Sequence, residues 1–205
     1  MKSFQEMLSD HQLNLDPQMI DRILAFGEMV VRYNKKVNLI SSGDEAKIQS
    51  RHLLDSLQPM RIRELIPSFG ASWCDMGSGA GFPVVPLSIA NPSVNFFAVE
   101  PRLKRSTFLK VVAKEIGILN LTVIENDAES CGLQNLDRVS CRALGSAEDD
   151  WKRAESLLKE SGVFITLKSL NDCSSLPIEI WANFPYSLPS ESQQYCVLSR
   201  KKVHG

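Results

Sequence analysis

The sequence lacks a hydrophobic run long enough to cross a bilayer, a cysteine pair at diagnostic spacing and a cluster of metal ligands, and each absence removes a class of protein. Polar and charged residues recur through the first thirty positions (Lys2, Glu6, Asp10, His11, Asp16, Asp21, Arg22), which fits neither a signal peptide nor a membrane span. A soluble, cytoplasmic protein without membrane contact is expected. The five cysteines, at 74, 131, 141, 173 and 196, form no CxxC motif and show no disulfide-like spacing, as in a reducing compartment. His11, His52 and His204 stand far apart, none near a cysteine or carboxylate at ligand spacing, so no metal is expected. A net charge of −1 excludes a protein that coats nucleic acid by charge alone and leaves only local basic patches to bind it.

What is present is enough for one domain: 205 residues, 43% of them hydrophobic. Ile20, Ile23, Leu24, Met29, Val30, Val31 and Val37 recur at helical spacing behind Asp16-Pro17, an N-cap and first-turn pair, which predicts a helix over 17–34. A second helix is expected over 44–57, interrupted by Pro59. After Pro67 short apolar runs alternate with amphipathic stretches, the pattern of βα units and a mostly parallel sheet. Strands are expected at 72–76, 94–100, 121–125, 138–141 and 163–168, with helices over 101–116 and 146–159. Residues 184–202 read as an antiparallel edge pair. The chain thus divides into an N-terminal helical cap, 1–66, and a Rossmann-like α/β domain, 67–205, within one compact unit.

The strongest local signal is WCDMGSGAGFP at 73–83, a strand running into Gly77, Gly79 and Gly81 before a helix that begins near Pro83. Glycines there allow positive φ and let a nucleotide-like ligand approach the backbone, although an ordinary βα turn has the same form. A dinucleotide fingerprint would need a third glycine at 82, where Phe82 stands. The G-x-G-x-G spacing, with Asp75 before it, resembles the first motif of class I S-adenosylmethionine methyltransferases. A carboxylate suits a cationic sulfonium, whereas a pyrophosphate prefers bare amides. Glu100 ends the second strand, where such folds hold ribose hydroxyls, and reads equally as a solvated strand end. Asp127, Ala128 and Glu129 follow the third strand, within reach of an adenine amino group. Arg142 ends the fourth, as a site residue or as a surface arginine.

Five segments carry a fuller resemblance: YNKKVNLIS (33–41), RHLLDSL (51–57), CDMGSGAGFPVVPLSIA (74–90), LKRSTFLKVVAKEIGILN (103–120) and CRAL (141–144). In this order the chain resembles, over residues 17–170, the bacterial guanine-N7 methyltransferases of small-subunit ribosomal RNA, the glucose-inhibited division protein B family. The resemblance implies S-adenosyl-L-methionine as cofactor and 16S ribosomal RNA or the small subunit as partner; a monomer is expected. It implies cofactor contacts at Gly77, Phe82, Ala128, Glu129 and Arg142, beside Asp75, Gly79, Gly81 and Glu100 from the loop reading. Asn38, Arg51, His52, Asp55 and Ser56 would border the active-site mouth; by composition alone His52 reads as a packed or helix-capping histidine. Tyr33, Val84 and Ser169 depart from the tryptophan and glycines usual in the family, and Ser169 would narrow the target-base side of the pocket.

Guanine N7 has an in-plane lone pair and no proton to lose, so the reaction needs no general base, and none stands out. Arg51, Arg142 and Lys168 are candidates for a donor to guanine O6 or for phosphate contact. Basic residues gather at Lys35-Lys36, at Arg102, Lys104, Arg105, Lys110 and Lys114, and at Arg200-Lys201-Lys202, as RNA contacts or as solvated surface. Two other readings stay open: a methyltransferase acting on a small molecule or protein, and a binding module that has lost turnover.

Overall fold

The computed structural model describes residues 2–142, 144–173, 176–189 and 191–203; Ala143 of the CRAL segment and His204 lie outside the described residues. The chain opens with a helix the periodicity did not predict, α1 (Phe4–Asp10). A capping box explains it: the Ser3 hydroxyl accepts from the Glu6 amide, and the Glu6 carboxylate accepts from the Ser3 amide. Helix α2 (Pro17–Val37) starts at Pro17 as expected, with Asp16 at the cap position but without a side-chain bond to the helix. It ends where Asn38 turns left-handed at φ 53°.

The segment expected as one helix over 44–57 is wound in three ways: a 3-10 stretch at Ser42–Lys47, a wide π turn at Ile48–Leu53 and a short α3 (Leu54–Ser56). Helical periodicity in the sequence cannot separate these windings, whose hydrogen bonds differ in span by one residue from each to the next.

Seven strands follow: β1 (Ser72–Met76), β2 (Asn95–Val99), β3 (Leu121–Ile124), β4 (Leu136–Arg142), β5 (Leu158–Ser169), β6 (Ala182–Ser187) and β7 (Gln194–Lys201). Their order across the sheet is β3-β2-β1-β4-β5-β7-β6, parallel from β3 to β5, with β7 antiparallel to both β5 and β6. The sheet and its helices α4 (Val84–Ala90), α5 (Leu103–Ile116) and α6 (Ala147–Glu155) make a Rossmann-like α/β fold. Strand β5 begins earlier than expected and α6 ends sooner. Leu157 and Leu158 are buried in the core, and Leu158 pairs with Leu136 before a bulge restores the register at Val163. Gly162 sits in that bulge, where a Cβ would lie 2.9 Å from the Leu136 carbonyl oxygen.

One core lies between the N-terminal helices, α4, α5 and the sheet, around Phe26, Leu54, Trp73 and Phe96; the other lies under α6, around Trp151, Phe164 and Trp181. The Cys173 and Cys196 side chains lie against each other with their Cα atoms 7.6 Å apart, wider than an ordinary disulfide spans, while Cys74, Cys131 and Cys141 lie apart from them. Topology, which lays the turn after β5 over β7, brings together two residues 23 positions apart that no spacing rule connects. Among the described residues no helix is long and apolar enough to cross a membrane, and no group of histidines, cysteines and carboxylates could hold a metal ion.

Candidate functional site

Strand order reverses between β1 and β4, and ligands of open α/β sheets sit outside the strand ends at such a switch point. Two cavities adjoin there. The first, about 440 Å³, is lined by the glycine loop, Glu100, Arg102, Arg105 and residues Leu39 and Ile40 after α2. The second, about 470 Å³, is lined by Arg51, His52, Asp55, Lys168, Ser169, Asp172 and Tyr195. Arg142 and Leu144 line both, so the Arg142 side chain stands on their common boundary.

The loop after β1 holds its glycines for different reasons. At Gly81, φ +96°, a Cβ would meet Val85 Cγ2 at 2.8 Å and Leu109 Cδ2 at 3.0 Å, so helix packing excludes a side chain. At Gly79, φ +55°, the nearest atom to a Cβ is 3.7 Å away, so its bare face is left open beside the first cavity. A Cβ on Gly77 would lie 2.6 Å from Leu144 Cδ2. The buried Glu100 carboxylate ties the loop to the end of β2, accepting from the Gly79 amide at 2.8 Å and the Arg102 amide at 2.9 Å.

Asp75 lies beneath the loop and lines neither cavity. On β1, which is buried on both faces, it stands opposite Ser140 and accepts from that hydroxyl at 2.7 Å, while its buried Oδ2 has no partner among the described residues. Burial pushes its carboxyl up to about 7. Ala128 and Glu129, on the turn Ala128–Ser130 after β3, also line neither cavity, and Glu129 faces Arg153 at 3.5 Å.

At the boundary, Arg142 is fixed from three sides. Its Nη1 donates to Asp55 Oδ2 at 3.0 Å, its Nη2 contacts His52 Nδ1 at 3.0 Å, and its Cζ lies 5.0 Å from the centroid of the Phe82 ring. Arginine offers only donors, so His52 Nδ1 accepts and the imidazole proton sits on Nε2, which faces Asp44 Oδ2 at 3.6 Å. Burial, then the Arg142 charge, push the His52 pKa down to about 4, so the ring is neutral at pH 7. It stacks on Phe82 with centroids 5.1 Å apart. The second Asp55 oxygen accepts from the Tyr186 hydroxyl, across 131 positions of sequence.

The other expected residues are placed less uniformly. Arg51 lines the second cavity but is bound to Asp44 at 2.6 Å, and Lys168 lines it while bound to the buried Asp150 at 2.9 Å. Asn38 is exposed outside both cavities, its carbonyl accepting from Arg105 at 3.4 Å. Ser56 is fully buried, its hydroxyl donating to the His52 carbonyl, so it holds the segment's winding and does not border the mouth. The basic tail is largely committed to structure: Arg200 lies over Trp151 and pairs with Glu148, and Lys202 donates to the Glu155 and Leu158 carbonyls. Sequence reading missed Asp44, Asp172, Tyr186 and Tyr195. The two tyrosines stood in the expected edge strands, but no local signal links them to Asp55.

The family described as rRNA small subunit methyltransferase G matches residues 19–178. A ribosomal RNA small subunit methyltransferase G of Geobacillus sp. is 29% identical over 217 residues, covering 98% of this chain and 90% of that protein. Its counterpart in Actinobacillus pleuropneumoniae serotype 3 is 31% identical over 203 residues, covering 95% and 96%. A solved SAM-dependent O-methyltransferase from Thermotoga maritima shares the fold at TM-score 0.54 and 16% identity, covering 86% of this chain and 72% of that one. The matched span holds both the glycine loop and the Arg142 boundary, and the chain belongs to the rRNA small subunit methyltransferase G family.

Proposed function

We propose that this protein transfers a methyl group from S-adenosyl-L-methionine to N7 of a guanine in 16S ribosomal RNA, free or in the small subunit, acting in the cytoplasm as a monomer. Residues 67–205 form the catalytic body and 1–66 a helical cap over the acceptor side. The observation that carries this reading is the pair of cavities that meet at Arg142. A donor and an acceptor must approach within bonding distance while each is held separately, and two adjoining sites provide that. The names of the relatives support ribosomal RNA as the acceptor class.

The residues of the first cavity fit the cofactor. Its volume falls in the usual range for small-molecule sites, the bare face of Gly79 leaves room for close approach, and the Glu100 carboxylate suits ribose hydroxyls. Phe82 and Arg142 line the end nearest the acceptor; Ala128 and Glu129, outside the cavity, are assigned to the adenine end by the family resemblance alone. When bound, the cofactor supplies an electrophilic methyl on a sulfonium.

The chain's own groups then have three tasks. Arg142 offers guanidinium donors to O6 of the guanine and leaves N7 free, because a donor on N7 would block the nucleophile. Asp55 neutralises that guanidinium, so the purine that gains positive charge on methylation does not face an unpaired cation. His52, uncharged, adds no further positive charge and fixes Arg142 through its Nδ1. No group has to take a proton. The test is to incubate the protein with methyl-labelled cofactor and, separately, protein extract, total RNA and small subunits from cells lacking it. Label in small-subunit RNA is expected; label only in protein or small metabolites would overturn the assignment.

A further inference from the structure

We propose that Asp172 is the residue by which the second cavity selects guanine, its carboxylate accepting from the N1–H and the 2-amino group of the acceptor base; this rests on the guanine reading above. Charge on the cavity wall is unevenly compensated. Each cation there holds a carboxylate: Arg51 with Asp44 at 2.6 Å, Arg142 with Asp55 at 3.0 Å, and Lys168 with Asp150 at 2.9 Å. Asp55, one of the two lining carboxylates, has both oxygens engaged, by Arg142 and by the Tyr186 hydroxyl. Asp172, the other, makes no ion pair among the described residues. It accepts from the neutral Ser169 hydroxyl at 2.9 Å through Oδ2, and it is exposed where it lines the cavity. A carboxylate has about four acceptor directions, so one bond to Ser169 fixes its orientation and leaves the rest for a ligand that donates.

Position in the sheet says which edge of the base would meet it. From the glycine loop after β1, the wall passes to Arg142 at the end of β4, then to Lys168 and Ser169 at the end of β5 with Asp172 just beyond, and then to Tyr195 on β7. A purine whose N7 faces the first cavity carries O6 on the same edge, next to Arg142. Its opposite edge turns toward β5 and β7. In guanine that edge presents two adjacent N–H donors, which match a carboxylate in the parallel fashion of a bidentate pair. Adenine presents a bare ring nitrogen there and lacks the 2-amino group, so the same carboxylate opposes it. Selection of guanine thus comes from both ends of the base, O6 at Arg142 and N1 with the 2-amino group at Asp172.

The test uses wild-type protein and the variants Asp172→Asn, Asp172→Ala and Ser169→Gly on ribosomal RNA whose reactive guanine has been mapped. That RNA is compared with a ligated transcript carrying inosine, which lacks the 2-amino group, at the same position. Inosine keeps N1–H and loses the 2-amino donor, so wild-type kcat/KM should fall about 12- to 150-fold on it, the range for one hydrogen bond to a charged group. Both Asp172 variants should lose a similar factor on guanine and treat guanine and inosine alike, with cofactor Kd unchanged; Ser169→Gly should lose part of the preference. Circular dichroism and the cofactor titration establish that each variant is folded. Folded Asp172 variants that keep the wild-type preference would overturn the proposal while leaving the methylation reading intact. A wild-type protein that methylates no guanine N7 would overturn both.

Discussion

Replacing Gly79 with valine should separate cofactor binding from folding, because the structure leaves room for a side chain at Gly79 and none at Gly81. A Cβ at Gly79 finds no atom nearer than 3.7 Å, so the fold itself meets no clash. The backbone there is left-handed, φ +55°, which a β-branched residue adopts at a cost of about 1–3 kcal/mol. For a chain of 205 residues that lowers the melting temperature by roughly 2–12 °C, short of unfolding it at 25 °C. The added methyls fill the space the cofactor needs against the loop, so calorimetry should find binding abolished while circular dichroism reports a native fold. Gly81→Val is the contrast. Its Cβ would stand 2.8 Å from Val85 and 3.1 Å from Phe26, and the variant should lose stability before affinity can be compared. A folded Gly79→Val protein with wild-type affinity would refute the placement of the cofactor on this loop.

The purified protein should bind S-adenosylmethionine and its demethylated product but not NAD, because Phe82 stands where the dinucleotide motif needs glycine; calorimetry with each ligand checks this. Since His52 in the fold is pushed down to about 4, the unfolded chain binds its proton first, and the stability contributed by the neutral ring falls as pH drops from about 6.5 through about 4. Asp75, pushed up to about 7, acts oppositely, losing stability as pH rises from about 3.8 through that value. The melting temperature of wild type minus that of His52→Gln, followed against pH, isolates the first slope; a flat difference would refute it. Replacing Lys35, Lys36 and Lys104 with alanine should weaken RNA binding and flatten its salt dependence without moving cofactor Kd. Arg102 and Arg105 line the first cavity, so alanine at those positions should alter both affinities.

Much of the architecture was legible because it depends on local pattern. Apolar runs gave the five parallel strands, Gly117 and Pro17 marked helix ends, and the glycine loop announced itself by spacing. The misses have physical causes. From Ile48 onward the segment keeps an apolar face whichever way it winds, and Leu157 and Leu158 extend a helical pattern until Leu158 pairs with Leu136 and opens β5. In the site, residue types were readable and partners were not. Arg142 could be named at a strand end, but its ties to Asp55 and His52 span 87 and 90 positions, and that of Asp55 to Tyr186 spans 131. Asp75 was read as a cofactor contact because it precedes the glycines, yet it lies within β1, which is buried on both faces, and its carboxylate meets Ser140 on β4.

The most direct test of the central claim is chemical. N7 methylation leaves a cationic purine whose ring and glycosidic bond are labile, so borohydride followed by aniline cuts the RNA chain at the product. Small-subunit RNA from cells lacking the protein, treated with purified protein and S-adenosylmethionine, should gain a cleavage site that is absent when either is omitted. RNA that takes up label without becoming aniline-sensitive would contradict guanine N7 as the acceptor.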